Sequence, residues 1–172
     1  GGPWLWAPGV RDLWRTTADI WPSYSRIVSI LAMQVGLSGV SRIGGHNDPD
    51  MLEVGVNGTY LNVPILFKSS LTPAESLLHF AMWSMLSAPL IIGADIRNSP
   101  AWVFDVLGHD EIISINQDIL SSQAMMIHES VDGYFNIAIP LGEFGVHATV
   151  CFVVCSQTQV WLKRLIDGVV AV

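Results

Sequence analysis

The sequence predicts an α/β fold in which short parallel strands alternate with helices, followed by a smaller antiparallel β segment. Strand-like and helix-like segments follow one another through residues 1–120 in the order β-α-β-α-β-α. This alternation is typical of parallel sheets with right-handed crossovers. After Asp118 the pattern changes: residues 131–154 contain short β-like runs separated by Gly and Pro, which predicts antiparallel pairing in a β-rich tail, 121–172.

The first predicted unit is a strand followed by an amphipathic helix. Residues 14–20 are rich in β-forming types and predict the end of a strand. A helix then opens at Pro22 and ends near Gly36. Its apolar residues recur at helical spacing and should face the core: Ile27, Ile30 and Leu31.

The second and third strands are shorter. One strand is predicted before Gly44, and Pro49 keeps Asp48 out of the helical region, so the segment between them is extended or turned. Residues 90–92 predict a short buried strand. They lie in a stretch free of formal charge, 76–94, which has membrane length. Polar residues and a proline interrupt that stretch, so we predict a helix and a strand instead of a membrane span.

The helix between these strands has a strong N-terminal signal. Thr72 is placed as its N-cap, Pro73 occupies the first helical position, and Glu75 can reach back to close a capping box. We expect this helix to end near Ser87. A further helix is predicted to start after Ser99 by the same capping logic.

Composition and charge exclude several classes of function. Hydrophobic residues make up 51% of the chain and charged residues 13%, which excludes a disordered protein. The net charge is −7, which argues against nucleic-acid partners and against anionic membrane surfaces. Two cysteines, Cys151 and Cys155, have neither a zinc nor a redox spacing, and we predict no cofactor.

The N-terminal segment from Gly1 to Pro8 has no basic start and no useful apolar run, so it does not predict a signal peptide. The chain also lacks an initiator Met. We therefore expect it to be part of a longer protein.

Each predicted strand ends in a charged cluster, and these clusters form the first site hypothesis. The carboxyl ends of parallel strands in βα units face one common pocket. Three consecutive strand ends should therefore bring their charged side chains together. The clusters are Arg15 with Asp19, Asp48 with Asp50, and Asp95 with Arg97.

Each candidate also has a structural interpretation. Asp19 lies between apolar residues, and such surroundings suit a general acid, but it could instead cap the helix near Pro22. Asp48 and Asp50 could form a turn, or, with His46, part of a metal site; His46 could equally be a core histidine. The triplet starting at Asn57 is an N-glycosylation acceptor or an Asn-Gly turn.

Five segments in order make a more specific pattern. The chain contains Trp-Arg-Thr-Thr-Ala-Asp-Ile at 14–20, Gly-Gly-His-Asn-Asp-Pro-Asp-Met-Leu-Glu-Val-Gly at 44–55, and three further motifs, at 79–84, 88–96 and 115–118. Together they strongly resemble the melibiase-type α-galactosidase family of retaining glycoside hydrolases. The resemblance covers roughly Pro3 to Leu120.

This resemblance implies a (β/α)₈ TIM barrel, of which the three strands here would be the last three, followed by an antiparallel β domain. It implies that Asp19 is the acid/base of a retaining mechanism, and that the galactose pocket is lined by Arg15, Asp50 and Met51, with Trp14 among its substrate-binding residues. The nucleophile of the family lies in a Lys-Tyr-Asp motif, which this chain does not contain. We therefore expect the chain alone to be inactive. The resemblance also implies that the full-length protein is secreted.

The chain departs from the family pattern at three places. His46 stands where the family usually has Trp, 56–70 replaces a short Gly-Asn-Gly-Gly link, and the tail matches poorly after Asp118 and not at all beyond Pro140. Our hypothesis is that the insert and the tail are gene-model errors, an unremoved intron and a shifted frame, which transcript sequencing would test. Alternative functions are an α-N-acetylgalactosaminidase and a non-catalytic sugar-binding remnant.

Overall fold

A computed structural model describes residues 2–57, 70–130, 147–154 and 157–166, with side chains omitted for 130 and 147–158. The helices are α1 (Tyr24–Gln34), α2 (Pro73–Met85), α3 (Ala101–Leu107) and α4 (Asp110–Asn116), with short 3₁₀ helices at Pro3–Leu5 and Ile96–Asn98. The strands are β1 (Leu13–Arg15), β2 (His46–Asp48), β3 (Met125–Ser130), β4 (His147–Val154) and β5 (Gln157–Arg164).

The first two strands are parallel, and α1 crosses between them. Leu13 lies opposite His46 and Arg15 lies opposite Asp48. The predicted position of the second strand was wrong, because β2 lies after Gly44 and not before it. Arg42 and Gly45 bond each other through both main-chain groups and close a turn there, with Gly44 at a φ of +74°, so pairing starts only beyond that turn.

The third predicted strand is reduced to a single parallel bridge between Leu52 and Ile92. Leu52 N–H donates to Ile91 O and Gly93 N–H donates to Leu52 O, and pairing extends no further. The expected burial was also wrong, since Ile91 is 51% exposed and Ile92 is 45% exposed. A strand with a neighbour along only one short stretch leaves its outer face and edge uncovered.

The capping box of α2 is confirmed. Thr72 Oγ1 accepts from the N–H of Glu75 at 3.3 Å, and Thr72 N–H donates to the Glu75 carboxylate at 2.8 Å. The helix ends at Met85, close to the expected Ser87. The predicted cap at Ser99 was wrong: its hydroxyl donates to Asp95 O at 3.2 Å instead, and α3 begins after Pro100.

The core lies where α1, α2 and the inner face of the tail meet. The predicted helix face is confirmed, since Ile27, Ile30 and Leu31 have no exposed surface. They join a larger buried cluster that includes Phe80, Met82 and Trp83 of α2 and Trp161 of β5. No helix within the described ranges is both long and apolar enough to cross a bilayer.

The tail forms an antiparallel three-stranded sheet in the order β3-β5-β4, which agrees with the predicted antiparallel pairing, although residues 131–146 lie outside the described part of the chain. Trp161 and Lys163 of the central strand β5 are fully buried. The predicted insert lies mostly outside the described residues.

The Lys163 ammonium joins the tail to the ends of two helices. Its Nζ donates to Ser84 O at 3.0 Å, to Ser87 Oγ at 2.7 Å and to Ile115 O at 2.6 Å. Ser84 and Ile115 lie in the last turns of α2 and α4, where main-chain carbonyls lack helical partners and the helix dipole is negative. A buried cation is therefore matched to the acceptors available there.

Candidate active site

Arg15, at the end of β1, connects two of the predicted carboxylates. Its Nη2 lies 2.7 Å from Asp50 Oδ2 and 3.4 Å from Asp19 Oδ1, and it also donates to Thr17 O at 3.1 Å. The strand register explains the proximity, because Arg15 pairs with Asp48, two residues before Asp50. The first two strand-end clusters thus meet, as predicted.

Asp50 is buried and has a strained backbone. It is 8% exposed and has a φ of +96°, which is uncommon for a residue with a Cβ. Its Oδ2 accepts from Ile20 N–H at 2.9 Å, and its Oδ1 accepts from Met51 N–H at 2.8 Å. With the Arg15 contact, three of the roughly four lone-pair sites of a carboxylate are occupied.

Asp19 has the opposite environment. Its side chain is 80% exposed, and its contact in the described residues is the long one to Arg15. The neighbouring apolar residues do not enclose the carboxylate, so the expected apolar surroundings were wrong. The helix-cap interpretation was also wrong, because Ser23 is the N-cap residue of α1. Asp19 is free to meet a molecule that arrives from solvent.

Trp14, which was expected among the substrate-binding residues, is buried and does not reach the surface. It is 4% exposed, and its indole N–H donates to Asn47 Oδ1 at 2.7 Å. Asn47 Nδ2 in turn donates to Gln123 Oε1 at 2.7 Å and to Leu37 O at 3.0 Å. This chain of bonds ties β1 and β2 to the start of the tail.

Asp48 fixes the turn that leads to Asp50. Its Oδ1 accepts from Asp50 N–H at 2.8 Å. Burial raises the pKa of Asp48 above its usual range, while the Asp50 N–H bond and the Arg15 guanidinium act in the opposite direction. Thr17 Oγ1 donates to Pro49 O at 3.1 Å, so the two strand ends are also joined outside the charged groups.

Two side chains of helix α2 form hydrogen bonds with the main chain around Asp50. Trp83 Nε1 donates to Asp50 O at 2.7 Å, and His79 Nε2 accepts from Glu53 N–H at 3.0 Å. The two rings lie one helical turn apart and pack edge to face, with centroids 4.1 Å apart. Sequence reasoning missed this role, although the i, i+4 spacing of His79 and Trp83 places both on one helix face.

Glu53 and His79 are buried ionisable groups. Glu53 is 3% exposed, and burial, with a smaller contribution from the Asp50 charge, raises its pKa to about 7. Burial lowers the pKa of His79 to about 3, so the ring stays neutral when it accepts from Glu53 N–H. Glu53 Oε2 and His79 Nδ1 have no hydrogen-bond partner in the described structure.

The remaining candidates lie at different places. Met51 is 41% exposed. Asp95 and Arg97 bind each other on the surface, and in the described ranges neither forms an ion pair with the Arg15 cluster, so the third cluster does not join the other two. Asn57 is exposed, but the rest of its acceptor triplet lies outside the described residues.

A metal site is not formed by the predicted residues. His46 is half-buried at the start of β2, and its Nδ1 has no described partner. Asp50 is already neutralised by Arg15. Within the residues that the structure describes, no three His, Cys, Asp or Glu side chains cluster as metal ligands.

Comparison with known sequences matches this chain to α-galactosidases. The profile of the family described as Alpha galactosidase A matches residues 9–118. Alpha-galactosidase 3 of Arabidopsis thaliana is 38% identical over 125 residues, covering 73% of this chain and 26% of that protein. Alpha-galactosidase A of Cellvibrio japonicus is 38% identical over 134 residues, covering 72% of this chain and 30% of that protein.

Solved structures of α-galactosidases also superpose on this chain. An α-galactosidase from Saccharomyces cerevisiae superposes with a TM-score of 0.67 at 26% identity, over 96% of this chain and 36% of that chain. The Saccharomyces enzyme has also been solved with raffinose, and that structure gives a TM-score of 0.66.

The fold is therefore shared with glycoside hydrolases that have a TIM barrel. The chain belongs to the melibiase-type α-galactosidase family. It spans about a quarter to a third of the length of the curated relatives described above.

Proposed function

We propose that this chain supplies the acid/base side of an active site that removes terminal α-galactosyl groups from oligosaccharides. The observation that carries the proposal is the contrast between two carboxylates on one arginine. Asp19 is 80% exposed and weakly held, whereas Asp50 is buried and 2.7 Å from Arg15. An exposed carboxylate can exchange protons with a substrate, and a buried, neutralised one is suited to bind a hydroxyl.

In the proposed mechanism, protonated Asp19 donates its proton to the leaving oxygen as the glycosidic bond breaks and a second carboxylate bonds to the anomeric carbon. Asp19 then takes a proton from water, which attacks that carbon and releases the second carboxylate. The remaining acceptor site of Asp50 binds a sugar hydroxyl, and Arg15 and Met51 line the same pocket. Trp14 acts indirectly, by positioning β1 against β2.

The second carboxylate must lie about 5 Å from the first in a retaining enzyme. The family's Lys-Tyr-Asp motif does not occur in these 172 residues. We therefore propose that the three parallel segments belong to the last part of a barrel, and that this chain alone gives no turnover of a nitrophenyl α-galactoside above a buffer blank. Robust turnover by the purified chain would contradict this.

The acid/base role is tested in a protein that contains this chain and spans the length of its relatives, called here the longer protein. By family resemblance we propose that it is secreted. Asp19→Asn should lower kcat/KM by about 100-fold or more on an α-galactosyl oligosaccharide, and far less on a dinitrophenyl α-galactoside, whose leaving group needs no proton. Asp12→Asn removes the same charge from another exposed position and is the control. An equal loss on both substrates would contradict the proposal.

A further inference from the structure

We infer that Arg26 is a positioning residue that sets the direction of the Asp19 carboxylate. The inference rests on the proposed role of Asp19 as acid/base. Asp19 makes one side-chain contact in the described structure, at 3.4 Å, and is 80% exposed. Its carboxylate is therefore not fixed by its own bonds, and its direction depends on the backbone that carries it.

Arg26 holds that backbone on both sides of the Asp19 Cα. Its Nε and Nη2 donate to Asp19 O at 2.9 and 2.7 Å, and Nη2 also donates to Ala18 O. These two carbonyls belong to the peptide groups before and after the Asp19 Cα. The planes of those two groups define φ and ψ of Asp19, and so the direction of its Cα–Cβ bond. A single planar guanidinium thus restricts both angles.

The guanidinium is itself held in place. Its Cζ lies 4.6 Å from the centroid of the Trp21 ring, a stacking distance for a cation over an aromatic face. In the described residues Arg26 forms no ion pair, so its orientation is determined by the Trp21 ring and the two carbonyls. Trp21 follows Asp19 by two residues, and the arrangement closes a small loop between β1 and α1.

The position of Arg26 in α1 supports a role beyond the helix. It lies in the first turn of Tyr24–Gln34, where the dipole is positive and a cation is unfavourable. That unfavourable term is offset by the bonds to Ala18 and Asp19. The peptide group that carries Asp19 O has a second anchor, because its N–H, that of Ile20, donates to Asp50 Oδ2 at 2.9 Å. Loss of Arg26 would therefore leave this peptide group held and release the preceding one, at Ala18 O. Asp19 should thus loosen without release of Asp50.

The test uses the longer protein and two substrates that differ in leaving group. Arg26→Gln should lower kcat/KM by about 10- to 100-fold on an α-galactosyl oligosaccharide and by less than about 3-fold on a dinitrophenyl α-galactoside. Arg26→Lys keeps the charge but has one donor atom, so the same leaving-group dependence is expected in a variant that should fold as well as the wild type. Arg11→Gln removes an equal charge from an exposed position and should change neither substrate.

The inference would be overturned if both Arg26 variants had the kcat/KM of the wild type on both substrates, or if kcat/KM fell equally on both substrates. Failure of the proposed function is recognised separately, because Asp19→Asn would then lack the leaving-group dependence whatever the Arg26 variants do. A melting temperature for each variant shows whether a loss of activity reflects unfolding.

Discussion

The indole N–H of Trp83 donates to the main-chain carbonyl of Asp50 over 2.7 Å. This bond links the last turn of α2 to a residue whose φ of +96° needs support from its surroundings. Trp83 contacts neither Arg15 nor Asp19 in the described hydrogen bonds. It nevertheless holds the backbone that carries the Asp50 carboxylate, which pairs with Arg15.

Trp83→Phe should therefore destabilise the protein, because it leaves the Asp50 carbonyl buried without its donor. We expect a loss of about 1–3 kcal/mol in the free energy of unfolding. Urea denaturation measures it. Trp102→Phe is the matched control, since Trp102 is half-buried on α3 and makes no described side-chain hydrogen bond. Equal losses in the two variants would show that the Trp83 bond contributes nothing specific.

Glu53 should make stability depend on pH. Burial raises its pKa in the folded state to about 7 from the usual 4.5, so the folded state binds more protons than the unfolded state between those values. The contribution to stability is present below about pH 4.5 and is lost as pH rises to about 7. Glu53→Gln, which cannot ionise, should be more stable than the wild type at about pH 8 and lose this part of the pH dependence.

Urea unfolding of Glu53→Gln at about pH 5 and about pH 8 measures the effect. Glu111→Gln, on the exposed start of α4, serves as the control for removing one carboxylate. A slope in Glu53→Gln equal to that of the wild type would show that Glu53 does not titrate between those values.

Lys163 should make the stability of the protein depend on pH in the alkaline range. Burial lowers its pKa to about 8 from 10.5, partly opposed by Asp118, so the unfolded state binds more protons between those values. Stability should rise as pH increases from about 8 to about 10.5. Lys163→Met should lose that rise and be destabilised by about 1–3 kcal/mol near neutral pH, because Ile115 O loses its described donor while Ser84 O keeps the Ser87 N–H.

Arg11→Met removes one positive charge from an exposed position and is the control for Lys163→Met. Unfolding curves collected across the alkaline range would distinguish them. If the free energy of unfolding of Lys163→Met still rises across the alkaline range, the rise comes from another group. Lys163 would then not be the residue responsible for it.

Features that depend on neighbouring residues could be predicted from the sequence. The capping box at Thr72 and Glu75 requires only a helix start, and the buried face of α1 requires only its spacing. The meeting of Arg15 with Asp50 followed from parallel strand ends. By contrast, the backbone angle of Asp50 and the single bridge of Ile92 depend on packing between distant segments, and no local pattern encodes them.

Two further features, one near the site and one in the tail, were also beyond the sequence for the same reason. Arg26 lies in an ordinary helical turn, and its bonds to Ala18 and Asp19 depend on how the preceding loop folds back. Lys163 lies in a strand whose pattern gives no sign that a lysine would be buried against two helix ends. The flanking residues of Asp19 suggested burial, but the loop turns its carboxylate outward.

Azide rescue in the longer protein tests the central claim, that Asp19 is the acid/base and Asp50 a binding residue. In Asp19→Asn, an activated aryl α-galactoside should still form the glycosyl-enzyme, whose hydrolysis is slow for lack of a base. Azide needs no base, so it should accelerate turnover and give α-galactosyl azide with retained configuration. Asp50→Asn should bind substrate poorly and not respond to azide. If Asp50→Asn is the rescued variant and Asp19→Asn is close to wild type, the two roles assigned here are wrong.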